Sequence, residues 1–387
     1  MDSAEREGLR PKGNVPNLRF PEFQGEWISK TIGDIAPLQR GFDLPTGKIC
    51  NGKIPVVYSN GIMNHHSSYK CVAPGLVTGR SGTIGKFTYI EDGYYWPHNT
   101  SLWVTDFHDN NPKFIYYLYQ TIHIEQYSTG SGVPTLNRNN VHRHKTFIPK
   151  LKEQNKIAAF LSLLDERIAT QSKIIDKLQS LIKGLNDFLY TQYGGEVLTS
   201  FAELGTSYSG LSGKSAQDFG SGKPFITYLN VYSNNVIKEN DFQYVAIKDD
   251  EKQNVVKYGD VLFTLSSETP EEVGVGSVYL GKEKVYLNSF CFGIHITNTE
   301  VAFPPYLSYY VSLTAFRKFI YPYAQGSTRF NLCKADFKKA SIKLPTLADQ
   351  KRIYSILSHI DNKIITERQM LDLYNSQKQY LLRQMFI

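Results

Sequence analysis

The chain has 387 residues, 41% of them apolar and 20% charged, which is enough for two hydrophobic cores and too apolar for a disordered protein. No run of 18 apolar residues occurs and the opening segment carries charges of both signs without an apolar core, so neither a membrane-spanning helix nor a signal peptide is expected. The formal net charge of +7 is confined to two segments, described below.

In chain order, residues 1–26 read as a leader, of which 1–17 is polar and expected to be flexible. A first body follows over 27–149, where short apolar runs at 54–58, 75–78, 87–90 and 101–105 alternate with Gly, Asn and Ser turns and predict strands, with a tyrosine-rich helix at 112–124. Over 150–192 apolar residues recur in three- and four-residue steps, with one seven-residue step from Ile168 to Ile175, at Ile157, Leu161, Leu164, Ile168, Ile175, Leu178, Ile182, Leu185 and Leu189, which is coiled-coil spacing on one long helix. Tyr193-Gly-Gly195 then marks a joint. A second body over 193–345 predicts strands at 225–228, 260–264, 277–280 and 292–296 and a helix at 305–320. A second long helix over 346–387 carries its seam on Ile353, Leu357, Ile360, Ile364, Leu371, Tyr374 and Leu381. Roughly 35 residues at about 1.5 Å each make a rod on the order of 50 Å long, more than one small body can bury. The expected partner of each rod is therefore the other, paired antiparallel about an approximate two-fold axis, in an α+β chain of two strand-rich bodies each followed by a long helix.

That symmetry is written in the sequence. Residues 130–190 and 326–386 overlay without a gap at an offset of 196, through identical pairs from Gly130/Gly326 and Ser131/Ser327 through Leu136/Leu332, Pro149/Pro345, Gln154/Gln350 and Asp165/Asp361 to Leu185/Leu381. Upstream, 30–35 matches 199–204 and Pro55 matches Pro224 at an offset of 169, so the second copy holds 27 extra residues in its middle. A repeat of this length is a domain, not a solenoid unit. The closely matched helices read as scaffold and the divergent bodies as specificity.

The two matched segments hold 21 of the 43 Lys and Arg but 10 of the 36 Asp and Glu, so the rest of the chain is net acidic. The excess gathers just before each rod: Arg138, Arg143, Lys145, Lys150 and Lys152 in the first copy, Arg329, Lys334, Lys338, Lys339 and Lys343 in the second. Two equivalent basic segments suit a polyanion contacted twice, as a duplex is.

The chemistry of catalysis is not legible. The four cysteines show no CxxC pairing and no matched positions, which fits a reducing cytoplasm and no repeated metal site. Gly82-Thr-Ile-Gly85 lacks the spacing of a nucleotide-binding loop and reads as a turn. Asp250-Glu-Lys252 and Asp361-Asn-Lys363 lack the upstream carboxylate a metal-dependent nuclease needs, and no nucleophile elbow occurs. No catalytic residue and no metal ligand is assigned.

Four stretches carry a resemblance: Pro16-Asn-Leu-Arg-Phe-Pro-Glu-Phe-Gln-Gly-Glu-Trp27, Gly79-Arg-Ser-Gly-Thr-Ile-Gly-Lys86, Trp96-Pro-His-Asn-Thr-Ser-Leu-Trp103, and the two Gly-Ser to Pro to Gln tails. With the duplicated architecture, the chain resembles the specificity subunit of type I restriction-modification systems, HsdS, over nearly its whole length. The resemblance implies two target-recognition domains, each reading half of a split DNA sequence, and conserved helices that set the spacer and dock two methyltransferase subunits. It implies a non-catalytic subunit, with restriction subunits completing an ATP-dependent nuclease, and with S-adenosylmethionine, ATP and Mg held by the partners. Its alternatives are a stand-alone DNA-modifying enzyme and a coiled-coil scaffold without DNA specificity. Candidate DNA contacts are Arg80, Ser81, Lys86, His98, Asn99 and Arg138 in the first body and Ser266, Ser267, Asn288, Arg329 and Lys334 in the second. Arg suits guanine edges and Asn adenine edges, whereas Lys and Ser more often hold phosphates. The second body departs from the first at Leu265-Ser-Ser-Glu-Thr-Pro, which stands where the first has Arg80-Ser-Gly-Thr-Ile-Gly.

Overall fold

A computed structural model describes residues 13–129, 134–238 and 241–387, so the Gly130 and Ser131 members of the repeat and residues 1–12 of the leader lie outside the described residues. The chain divides into two compact units: everything up to Ser172 together with Gln369–Ile387, and Lys173–Arg368. Both divisions fall inside the long helices, Leu151–Tyr193 and Leu347–Met385, so each unit contains the start of one helix and the end of the other. Tyr193-Gly-Gly195 ends the first helix instead, the Gly194 N–H closing on the Tyr190 carbonyl and Gly195 taking φ +93°.

In the first unit, strand Ile28–Thr31 pairs antiparallel with Lys145–Ile148 and leads the chain into the helix. One four-stranded sheet runs Leu38–Arg40, Ser101–Val104, Gly75–Gly79, Phe87–Ile90, all antiparallel. A second runs Gly61–His66, Ile54–Tyr58, Tyr94–Pro97, Cys71–Val72, with its two central strands parallel. Helix Pro112–Thr121 starts where its sequence dictates: Asn111 Oδ1 accepts the Phe114 N–H and proline takes the first turn. Its buried face, Phe114, Ile115, Leu118 and Tyr119, joins Ile32, Ile35, Ile157 and Leu161 in one core with Leu381, Met385 and Phe386. The Phe386 ring stacks on Phe114 at 5.3 Å and meets Trp27 edge-on at 6.4 Å, so the end of the chain finishes the first core.

Beyond the polar opening segment 1–17, the stretch from Leu18 to Trp27 is anchored. Arg19 grips Glu153 bidentately (Nε–Oε1 2.8 Å, Nη2–Oε2 2.7 Å), and the Trp27 indole N–H donates to the same carboxylate at 3.2 Å. The Leu18 N–H donates to the Gln384 carbonyl at 2.8 Å. Glu153 is almost fully buried, so this charge is tolerable only because it is paired.

In the second unit, Val197–Thr199 pairs with Ile342–Leu344, the counterpart of the first unit's entrance. A five-stranded sheet runs Gly205–Ser209, Cys291–Ile296, Val261–Thr264, Gly276–Tyr279, Val236–Ile237, and a three-stranded one runs Gln243–Val245, Phe219–Ile226, Tyr286–Leu287. Two expectations change here. The strand expected at 225–228 stops at Ile226, because Thr227 caps helix Tyr228–Ser233: its hydroxyl takes the Asn230 N–H while Asn230 Oδ1 takes the Thr227 N–H. The single helix expected at 305–320 is two, Pro304–Tyr310 and Thr314–Ile320. Asp187 on the long helix captures both the N–H and the hydroxyl of Thr314 (2.9 and 2.6 Å), which starts a fresh helix there.

The repeated pairs do repeated work. Gln154 Nε2 donates to the Pro149 carbonyl and its Oε1 accepts the Asn111 N–H; Gln350 does the same with Pro345 and Phe303, all at 2.8–3.0 Å. Asp165 accepts the Tyr117 hydroxyl as Asp361 accepts that of Tyr309. Within each unit the paired helix segments are antiparallel. In the first, Asp165 meets Lys378 and Arg167 meets Tyr374; in the second, Arg352 lies over the Tyr193 ring. The seam residues Ile157, Leu161, Ile353, Leu357, Ile364 and Leu381 are buried, and Leu164, Ile168, Leu178, Leu185, Ile360 and Leu371 half-buried. Among the described residues no helix is long and apolar enough to cross a membrane.

Candidate nucleic-acid interface

Each unit builds the same backbone turn at the end of its sheet. In the first unit the His98 N–H donates to the Val57 carbonyl, the Ser101 N–H returns to the His98 carbonyl, and the Gly41 N–H donates to the Ser101 carbonyl (2.9, 2.9 and 3.0 Å). Arg80 is then stitched in from both sides, its N–H to the Thr100 carbonyl at 2.9 Å and its carbonyl to the Leu136 N–H at 2.7 Å. In the second unit the Asn288 N–H donates to Ile226, Cys291 returns to Asn288, Gly210 donates to Cys291, and Leu265 bridges Phe290 and Leu332 (2.9, 3.0, 3.2, 2.8 and 2.8 Å).

These bonds pair His98 with Asn288, Asn99 with Ser289, Thr100 with Phe290 and Arg80 with Leu265. The offset therefore rises from 169 at Val57/Ile226 to 185 at Arg80/Leu265, 190 at His98/Asn288 and 196 at Leu136/Leu332. The 27 extra residues are thus spread over several insertions around the turn rather than placed in one block. The turn has the same backbone in both units and different side chains.

Gly41 and Gly210 make the close packing possible. A Cβ at Gly41 would lie 2.2 Å from the His98 carbonyl oxygen, and one at Gly210 2.0 Å from that of Asn288. The residues carrying the resemblance pointed to His98 and Asn99 but not to these glycines. The only sequence signal for them is that they match at the 169-residue offset.

On the first turn, Arg80, Ser81, His98 and Asn99 are half-exposed and come together, Ser81 bridging Thr135. Arg138 stands exposed two residues beyond Leu136, opening helix Arg138–His142, whose N-cap is Asn137. Lys86 is exposed and donates to the Asn60 carbonyl at 3.2 Å. The Asn99 amide is held by Asp43, which also pairs with Arg40 at 2.9 Å. Asp43 was not among the expected contacts, yet a carboxylate here is an acceptor suited to the cytosine amino group. His98 lies against the Tyr58 ring at 4.2 Å with Nδ1 3.0 Å from the Thr100 hydroxyl. Burial holds its pKa below the ordinary value, so at neutral pH it offers hydrogen bonds rather than charge.

On the second turn, Asn288 Oδ1 accepts the Phe290 N–H at 2.9 Å, and its amide NH2 has no hydrogen-bond partner among the described residues. Arg329 is exposed with its guanidinium 6.0 Å from the centre of the Phe290 ring. Lys334, the counterpart of Arg138, lies 4.9 Å over the Phe292 ring with Nζ 3.4 Å from the Ser209 hydroxyl, and burial together with Lys338 lowers its pKa. Ser266 and Ser267 stand apart from this exposed set. They are paired with Asn331 and Phe330 on a short ladder, are buried, and the Ser267 hydroxyl donates to Glu272 at 3.0 Å. They are expected above as DNA contacts, but strand pairing buries them. Phe290 was not anticipated, and it is 56% exposed. A cavity of about 470 Å3 beside it is lined by Asn288, Lys214, Leu211, Phe219 and Phe225 among others.

One buried carboxylate elsewhere in the second unit is caged. Asp260 accepts the Tyr208 hydroxyl (2.7 Å) and the Lys257 N–H (2.8 Å) and meets His295 Nδ1 at 2.8 Å, and burial raises its pKa. Every oxygen is occupied by a neighbour, which marks a strut between strands.

The family model for the type I restriction modification DNA specificity domain matches this chain twice, over residues 24–180 and 205–373. A Methanocaldococcus jannaschii protein named as specificity subunit of the type I restriction enzyme MjaX is 25% identical over 94% of this chain and 85% of its own length. The EcoprrI specificity subunit of Escherichia coli is 24% identical over 38% of each chain. Among solved structures, the type I S subunit from M. genitalium covers 96% of this chain and 99% of its own with a TM-score of 0.56 at 15% identity. A chain from structural work on complex assembly of the type I R-M system gives 0.54, also at 15% identity, over 92% of this chain and 96% of its own. These two structural likenesses bear on the fold.

Proposed function

The chain belongs to the type I restriction-modification DNA specificity family, as a specificity subunit with two DNA recognition domains, and from that premise we propose that each reading turn recognises one half of a split duplex target. The observation that carries this is the turn itself, built twice by the same hydrogen bonds and filled with different side chains. A common frame gives both units the same approach to a groove, and unlike side chains give them unlike sequences. His98, Asn99, Arg80 and Arg138 would read and hold the first half-site, Asn288, Arg329 and Lys334 the second. The excess of cations before each long helix supplies attraction to phosphates that is independent of sequence.

The long helices are the spacer and the docking platform for two methyltransferase subunits, and restriction subunits complete the complex. Adenine methylation and ATP-dependent cleavage belong to those partners, together with S-adenosylmethionine, ATP and Mg. Purified chain plus the methyltransferase partner should methylate adenine in a bipartite target, and mapping methylated adenines in the source genome gives that target. Arg80→Ala and Arg329→Ala should each relax one half only. Recognition of the same sequence by the partner alone, or target choice unchanged in both variants, would sink the reading and leave a scaffold.

A further inference from the structure

We propose that Phe290 reads the 5-methyl group of a thymine in the second unit's half-site, making it a specificity-determining residue of that turn. The inference rests on the reading that the second unit contacts a duplex.

Phe290 occupies the place of Thr100, whose hydroxyl serves His98 in the first unit. Phenylalanine has no polar atom to spend in that way. Its backbone is fixed at both ends, the N–H on Asn288 Oδ1 and the carbonyl on the Leu265 N–H, so the ring is carried by a rigid support. The next residue, Cys291, is fully buried, and the ring of Phe290 instead projects outward at 56% exposure. Beside it stand two groups that suit base edges: Asn288, whose amide NH2 has no hydrogen-bond partner among the described residues, and the Arg329 guanidinium, 6.0 Å from the ring centre. An exposed ring among hydrogen-bonding side chains needs an apolar counterpart on the ligand. The major groove offers one such feature in unmodified DNA, the thymine methyl. Arg329, steadied on the ring, is then placed for a guanine beside it.

The test uses the specificity chain assembled with its methyltransferase partner. The second unit's half-site is first identified as the one whose recognition Asn288→Ala or Arg329→Ala alters. If neither variant changes recognition of either half, the duplex reading of this unit fails, independently of Phe290. Thymines of that half-site are then replaced one at a time by deoxyuridine, which removes only the methyl group. At one position wild-type binding should weaken about fourfold, the equivalent of about 0.8 kcal/mol for one methyl group withdrawn from water. Phe290→Ala should bind thymine and deoxyuridine alike at that position, and Phe290→Leu should keep part of the difference. The other half-site should show no change in either variant. Deoxyuridine tolerated at every position, a half-site without thymine on either strand, or discrimination intact in Phe290→Ala would overturn the proposal.

Discussion

Alanine at Gly41 or Gly210 separates the two reading turns by a single methyl group each. At Gly41 the new Cβ would lie 2.2 Å from the His98 oxygen and 2.5 Å from that of Pro97; at Gly210 it would lie 2.0 Å from Asn288 and 2.7 Å from Leu287. Ordinary contact begins at 3.4 Å, so the turns must retreat by about 1.2 and 1.4 Å. The obstructing atoms are backbone carbonyls that cannot rotate aside, since His98 and Asn288 use them to close the turn on Ser101 and Cys291. Overpacking of this kind costs about 1–3 kcal/mol of stability. A displacement above an ångström also loses a bidentate base contact, worth roughly 1–3 kcal/mol or about 5- to 150-fold in discrimination. The assay is competition binding by the assembled complex against four duplexes: intact, either half scrambled, and both scrambled. Gly41→Ala should make binding indifferent to one half-site and Gly210→Ala to the other. Both variants affecting the same half, or full discrimination at both halves, would refute the equivalence of the turns.

Three further outcomes follow from the same structure. Glu153→Ala strands Arg19 and the Trp27 indole in a buried setting and should cost about 3–5 kcal/mol, followed by Trp27 fluorescence in urea. The equivalent Asp349, whose side chain accepts only the Thr346 hydroxyl among the described residues, should cost about 1 kcal/mol on the same change; equal costs would contradict the anchor. Burial holds His98, His142 (with Arg138 adding) and His144 below their usual 6.5, so between the folded and unfolded values the unfolded chain binds more protons. Stability of the first unit should be full above about pH 6.5 and fall as pH drops through the lower folded values, in urea midpoints taken from pH 8 to 5. A flat profile would show these imidazoles to be solvated. On the spacer role, four residues inserted in both long helices add about 6 Å of rise, and methylation should move to targets with a gap about two base pairs longer. Loss of all target binding by the inserted chain would count against the spacer.

The repeat, the strand runs and the two long helices are legible in the sequence because each is a local pattern. Alternation and three- to four-residue spacing need only neighbouring residues, and the gap-free register of Gln154/Gln350 and Asp165/Asp361 shows as identity because those side chains make the same bonds twice. Arg80, His98, Asn99, Asn288 and Arg329 could be singled out by residue type and by the stretches that carry the resemblance. Ser266 and Ser267 could not be judged that way, since what buries them is a ladder to Asn331 and Phe330 more than 60 positions away.

Tertiary structure alone decided the rest. That Leu18–Trp27 is clamped, and that Leu381, Met385 and Phe386 finish the first core, depends on side chains hundreds of positions apart meeting in one apolar cluster. The correspondence of His98 with Asn288 and of Thr100 with Phe290 is carried by main-chain hydrogen bonds, to which any residue contributes the same N–H and carbonyl. Residue identity therefore leaves no trace of it, and only the folded backbone puts the two turns in register.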